Sequence, residues 1–207
     1  MDVGFGTSAI TTHELSVAFP RHEVIGLERD PARVEAAVRE YPGLAVRLGD
    51  LDVLPDGAAL ALRVANVARG LTKEQAGVLH AQAGSKLVEG GVLLEGSTDV
   101  EGHVSAFFSL RRRSGALVPE SLVFATDGAR GFSPWLFRDV LPRALRRDVR
   151  AGTPIQQLLS EWEASWAPHR GSEPVVAFLS SGQALAKARG DLEVHGDFVI
   201  WTAPVLS

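Results

Sequence analysis

Apolar and polar positions along the first hundred residues switch repeatedly between a short apolar run and a helical period. Residues 1–3 open as the stub of an apolar strand, cut by the turn Gly4-Phe5-Gly6. Residues 8–19 read as a helix, with Thr7 or Ser8 available as its cap and Pro20 closing the segment. A short strand over residues 22–27 ends at Glu28. Asp30-Pro31 then starts a second helix, Asp30 as cap and Pro31 at the first helical position. Val34, Ala37, Val38 and Tyr41 recur at i, i+3, i+4 and i+7, which predicts one buried stripe. A third strand over residues 44–48 runs into Gly49-Asp50. The stretch 52–59 holds Pro55 and Gly57 and is too short for a full helix, and residues 60–67 follow as a fourth strand. Thr72-Lys-Glu-Gln75 is a capping box opening a helix with Ala76, Leu79, Ala83 and Leu87 on its apolar face. Gly90-Gly91 is expected to end that helix and residues 92–96 to form a fifth strand.

The pattern then changes. Val104, Ala106, Phe108 and Leu110 alternate with mostly polar residues, and residues 121–126 form another β-rich run, so Ser114-Gly115 between them predicts an antiparallel hairpin. Residues 133–147 read as helical with a break at Pro142. A further helix is capped by Thr153 and started by Pro154, with Ile155, Leu158, Leu159, Trp162 and Trp166 as a stripe expected in the core. Residues 181–189 suggest a last short helix, and residues 192–202 one or two strands broken near His195-Gly196.

Strand and helix in alternation define the first half of a doubly wound α/β sheet, whose ligands sit outside the carboxyl ends of the strands. Those ends carry Asp2-Val-Gly4, Glu28, Asp50, Asn66 and the stretch from Glu95 to Asp99. The two glycines let backbone pass close to a ligand, and the helix that follows directs unpaired N–H groups at the same place. Gly4-Phe5-Gly6-Thr7-Ser8-Ala9 fits the G-x-G-x-x-A form of a dinucleotide fingerprint. Glu28 stands about twenty residues on, where an acid accepts from a ribose diol and disfavours a phosphorylated ribose. The first strand is shorter than the roughly five residues usual for a strand, so the natural start is expected to lie upstream of Met1.

Composition narrows the classes. At 207 residues, 45% hydrophobic and 22% charged, the chain suits one domain spanning 1–207, with a cofactor half at 1–100 and a substrate-side elaboration at 101–207. No apolar run reaches the roughly 18 residues of a membrane span, and no signal peptide opens the chain. The absence of cysteine removes thiolate metal sites and a cysteine nucleophile, and fits the cytoplasm. A net charge of −4 gives no general attraction to nucleic acid. The basic groups Arg111-Arg-Arg113 and Arg143, Arg146, Arg147 and Arg150 are interspersed with acids and read as a balanced surface. Phe132, Trp135 and Phe137 are open to a role in a lid or subunit contact.

Asp2, Gly4, Gly6, Glu28 and Asp50, in that order, resemble the Rossmann-like S-adenosylmethionine (SAM)-dependent methyltransferases across residues 1–100. More narrowly, Val-Gly-Phe-Gly-Thr-Ser and Gly-Leu-Glu-Arg-Asp-Pro look like an uncharacterised bacterial methyltransferase-like group. The resemblance implies a doubly wound sheet with a C-terminal antiparallel hairpin and helical elaboration. It implies a SAM site drawn from Asp2, Gly4, Gly6, Ser8, Glu28, Arg29, Asp50, Leu51 and Asn66, with Glu28 on the ribose and Asp50 on the adenine amino group. The acceptor side is less defined. Asn66, Glu95 and Asp99 are the catalytic candidates by position, and Asn66 lacks the Asn/Asp-Pro-Pro-Tyr/Phe context of amino-methylating DNA and protein enzymes. A small-molecule acceptor is therefore expected over a nucleic acid. Asp99, Glu101 and His103 alternate and suit either a metal or base site or a polar turn, and no metal is expected. Arg69 reads as a solvated helix-end arginine and His13 as a surface or packing histidine. The rival readings are a nicotinamide-dependent oxidoreductase, a non-catalytic SAM-binding protein, and a nucleoside-using enzyme of the aminopropyl-transferase kind.

Overall fold

Strand β1 (Asp2–Val3) lies between β2 (Ile25–Glu28) and β4 (Ala59–Ala65) and runs parallel to both, with β3 (Ala45–Leu48) parallel to β2 on the outer side. This computed structural model describes residues 1–202. Helix α1 (Ile10–Ala18) joins β1 to β2, α2 (Pro31–Glu40) joins β2 to β3, and α3 (Lys73–Lys86) joins β4 to β5 (Leu87–Thr98). The strand order is β3-β2-β1-β4-β5-β6-β7-β9-β8, so the winding reverses at β1. Right-handed crossovers on either side of that reversal put α1 and α2 on one face and α3 on the other. Strands β6 (Val104–Arg113), β7 (Ala116–Thr126), β8 (Leu192–His195) and β9 (Phe198–Trp201) complete the sheet. Links of a few residues join β5 to β6 and β6 to β7, lengths that allow only antiparallel neighbours. The β6–β7 turn is Ser114-Gly115, with φ of 51° and 80°, the paired left-handed geometry of a type I′ hairpin.

The chain divides into two compact units, residues 1–94 with 111–118, and residues 95–110 with 119 onward. In the first, β2 is buried along its whole length, as a parallel strand covered on both faces requires. The stripe expected on α2 is only partly realised: Ala37 is buried but Val38 is 52% exposed. Helix α2 packs on β3, whose own residues are mostly exposed, so this margin of the sheet has little to bury against. Asp30 caps α2 as expected, its Oδ1 accepting from Ala32 N–H at 2.9 Å. Both halves of the Thr72–Gln75 capping box are formed. The end of α3 differs from expectation. The helix stops at Lys86, and Gly90-Gly91 lie inside β5. Guanidinium groups take the carbonyls there, Arg112 donating to Leu87 O and Ser85 O and Arg111 to Gly90 O, so no glycine cap is needed. These arginines therefore serve backbone carbonyls.

The second unit is built on aromatic packing. Phe124, Phe137, Trp162 and Phe178 are fully buried, with Trp162 stacked on Phe137 at 5.5 Å and edge-on to Phe124 at 5.3 Å. Phe132 packs on Phe178 at 5.3 Å, so Phe132 and Phe137 belong to this core and to no lid. Helix α5 (Pro154–Trp166) contributes Ile155, Leu158, Leu159 and Trp162 to the core as its period predicts. Thr153 does not cap it. Its hydroxyl donates back to Asp148 O and Arg150 O, after the short helix α4 (Arg143–Arg146). Helix α6 (Pro174–Arg189) starts seven residues earlier than residue 181, capped by the Glu173 carboxylate on Val176 N–H. A glutamate cap before Pro174 is an atypical signal. A Cβ on Gly182 would sit 2.5 Å from a Val199 methyl, so this glycine sets the approach of α6 to β9.

Candidate cofactor site

The glycine turn is held from both sides. Asp2 is completely buried, one carboxylate oxygen accepting from Thr12 Oγ1 at 2.7 Å and the other from Arg63 Nη1 at 2.8 Å. It thus ties β1 to α1 and β4, and its oxygens face the chain's own donors. Gly4 has φ +70°, and a Cβ there would lie 2.9 Å from Val67 Cγ2, beyond the end of β4. The chain after β1 and the chain after β4 meet at the winding reversal, and only a residue without a side chain fits. Gly6 has φ +76° with open space where a Cβ would stand. The expected Thr7 or Ser8 cap of α1 is displaced. Ala9 occupies the cap position, and Ser8 Oγ accepts from Ile10 N–H at 3.3 Å.

Glu28 reaches back into this turn. Its Oε2 accepts from Gly6 N–H at 2.9 Å across 22 residues of sequence, and its Oε1 accepts from Arg29 N–H at 2.9 Å and Asp30 N–H at 3.1 Å. A carboxylate fixed by three backbone amides is held in one orientation beside the loop. Asp50 follows β3, its Oδ1 accepting from Leu51 N–H at 2.7 Å and its Oδ2 pairing with the Arg29 guanidinium. Leu51 itself is buried under this turn. Arg29, Asp50, Leu48, Gly49, Asp52 and Gln82 line a cavity of about 410 Å³. Asn66 follows β4 in the left-handed region, φ 62°, and is exposed.

The remaining candidates belong to the second unit. Glu95 is buried in β5. Asp99 closes the turn from β5 to β6, its N–H donating to Val104 O and its Oδ1 accepting from Val104 N–H, while Arg130 Nη1 donates to Oδ2 at 3.0 Å. Burial of Asp99 opposes ionisation. The Arg130 guanidinium and the Val104 and His103 amides outweigh it and hold the carboxyl below the usual range. Asp99, Glu101 and His103 thus form a polar turn, and among the described residues no group of three His, Cys, Asp or Glu is placed to hold a metal ion. His13 stacks on Tyr41 at 4.8 Å and Arg69 is exposed. Thr12, Arg63, Gln82, Asp127 and Arg130 went unread in the sequence. Thr12, Arg63, Asp127 and Arg130 are single polar residues whose partners lie 10, 61, 24 and 31 positions away in sequence, and Gln82 is one polar residue of α3 that lines the cavity.

No protein-family model matches the chain, and no curated protein matches it. The solved structures to which it is similar include a SAM-dependent methyltransferase from Archaeoglobus fulgidus, 17% identical over 48% of this chain and 44% of that one, TM-score 0.37. Another is CalS10, an amino pentose methyltransferase from Micromonospora echinaspora, 26% identical over 62% of this chain and 56% of that one, TM-score 0.39. A third, a SAM-dependent methyltransferase from Mesorhizobium loti, is 16% identical over 96% of this chain and 87% of that one, TM-score 0.36. The chain spans about half the length of the first two. These likenesses are distant, and the doubly wound fold is defined by the chain's own strand order. Among the described residues no helix is long and apolar enough to cross a membrane.

Proposed function

We propose that the chain is a SAM-dependent methyltransferase acting on a small-molecule acceptor in the cytoplasm. The observation that carries this reading is the Glu28 carboxylate bound to Gly6 N–H, at a glycine turn on the winding reversal. Asp50 beside its cavity supplies the adenine-side acceptor. In this reading Gly4 and Gly6 admit the ligand, Glu28 takes the ribose hydroxyls and Asp50 the adenine amino group. Ser8, Arg29 and Asn66 complete the rim, the buried Leu51 supports the turn behind Asp50, and Asp2 keeps the glycine turn in place from below. The bound group supplies an activated methyl, and the chain positions the acceptor and excludes water.

Thermal unfolding with S-adenosylhomocysteine, with NAD and NADP in parallel, tests this. Ligand at about 100 times Kd adds about 2.7 kcal/mol, a shift on the order of 5–10 °C at this length. The expected result is a shift with S-adenosylhomocysteine alone, abolished in Glu28→Ala. A shift with NAD alone sinks the reading in favour of an oxidoreductase.

A further inference from the structure

Strand β2 carries a glycine, Gly26, where a covered parallel strand ordinarily carries a branched apolar side chain. A glycine inside a strand marks a place that another group approaches closely. Here the approach comes from the glycine turn. A Cβ on Gly26 would stand 2.9 Å from Phe5 Cδ1, 3.2 Å from Phe5 Cε1 and 3.0 Å from the Thr12 methyl. Phe5 lies between the two turn glycines, so three successive residues of the turn are tied to three successive residues of β2. Gly4 N–H donates to Leu27 O at 2.8 Å, the Phe5 ring rests on Gly26, and Gly6 N–H donates to Glu28 Oε2 at 2.9 Å. Side chains alternate along a strand, so positions 26 and 28 share one face of β2. The ring and the carboxylate therefore hold the turn from the same side. Gly6 has open space where a side chain would stand, so its N–H is placed by its neighbours.

We propose that Phe5 is a positioning residue of the cofactor cradle: its ring, seated on Gly26, fixes the turn so that Gly6 N–H and the Glu28 carboxylate are joined before a ligand arrives. The proposal rests on the methyl-transfer reading for the ligand and on the turn's own geometry for the seat. Without the ring, the turn keeps the Gly4 bond but is otherwise two glycines, whose backbone visits several conformations at little cost. The fraction of molecules with Gly6 in place then falls, and the apparent affinity falls with that fraction. Phe5 and Gly26 are a matched pair. A side chain at position 26 displaces the ring, and a small residue at position 5 leaves a void over the strand. Phe5 thus acts on binding through Gly6.

Two measurements on the full chain decide it. Hydrogen exchange of the Gly6 amide, followed by NMR without any ligand, reads its bond to the carboxylate, with Glu28→Ala as the unbonded reference. In Phe5→Ala the Gly6 amide is expected to exchange at a rate close to that reference while the Gly4 amide keeps its wild-type rate. Phe5→Leu, which retains apolar bulk, is expected to fall between, and takes the place of the alanine variant if that does not fold. An unchanged Gly6 rate overturns the seat. S-adenosylhomocysteine is then titrated calorimetrically. Phe5→Ala is expected to raise Kd about tenfold, the factor for a turn in place in about one molecule of ten. Gly26→Ala is expected to raise Kd in the wild-type background and by less in Phe5→Ala, where only the Thr12 methyl is left to displace. An equal cost in both backgrounds overturns the pairing. Failures are separable: no binding by wild type sinks the methyltransferase reading and leaves exchange to decide the seat, whereas equal Kd in wild type and Phe5→Ala sinks the positioning role alone.

Discussion

The two units are held together by opposite means. In the first, the residues of the candidate site are polar and already partnered: Asp2 by Thr12 and Arg63, Glu28 by three backbone amides, Asp50 by Arg29 and Leu51. In the second, the centre is a cluster of rings with one polar handle, Trp162 Nε1 on Ser181 Oγ at 2.9 Å. Aromatic burial stabilises whatever the ligand state. Partnered carboxylates instead fix geometry, and a ligand that offers better donors replaces those partners. The contrast separates stability from binding, and substitutions test whether the separation is real.

The largest effect belongs to the ring cluster. Trp162→Ala removes a fully buried indole that packs on Phe124, Phe137 and Phe178. It is expected to cost about 3–5 kcal/mol, read by urea denaturation. A cost under about 1 kcal/mol would mean that the cluster is not the core it looks like. Next in size is a pair in the glycine turn. Gly4→Ala meets both a left-handed backbone and Val67 Cγ2 at 2.9 Å, whereas Gly6→Ala meets the same backbone with open space around it. The left-handed conformation costs a non-glycine residue about 1–2 kcal/mol, so Gly6→Ala is expected to lose about that and Gly4→Ala measurably more. In S-adenosylhomocysteine titrations the order is expected to be different in kind. Gly6→Ala places a methyl in the ligand's approach and weakens binding beyond its stability cost. Equal affinity in Gly6→Ala and wild type would remove Gly6 from the cradle.

The parallel half of the sheet was legible because its signals are local. Asp30-Pro31, the Thr72–Gln75 box and Ser114-Gly115 each specify geometry within four residues, and all three formed. The points missed share a different cause. The end of α3 is settled by Arg112 from a distant strand, so Gly90-Gly91, a stop signal in isolation, is carried inside β5. Thr153 looks like a cap, but a nearer pair of carbonyls from Asp148 and Arg150 takes its hydroxyl. Around the candidate site, Gly4 and Gly6 follow β1, Glu28 closes β2 and Asp50 follows β3, positions that the alternation of strand and helix in the sequence already marks. The His103–Asp127 contact was not marked, since it depends on hairpin register bringing residues 24 apart in sequence together.

The smallest expected effect is one of pH, and it bears on the second unit alone. His103 is raised, chiefly by its hydrogen bond to Asp127, so its contribution is complete below the unfolded value of about 6.5 and is lost as pH rises through the folded value. Asp127 is lowered, by Ala129 N–H first and His103 second, so its contribution is complete above about 3.9 and is lost as pH falls through its folded value. The two conditions overlap between about pH 4 and 6.5. The Tm difference between wild type and Asp127→Ala should be level and greatest across that window and shrink on both sides, because titrations elsewhere in the chain are common to both proteins and cancel. Both side chains are partly open to water, so screening keeps the effect small and added salt should reduce it further. A Tm difference as large at pH 9 as at pH 5.5 would mean that the imidazolium contributes nothing and that Asp127 acts only through its turn with Ala129.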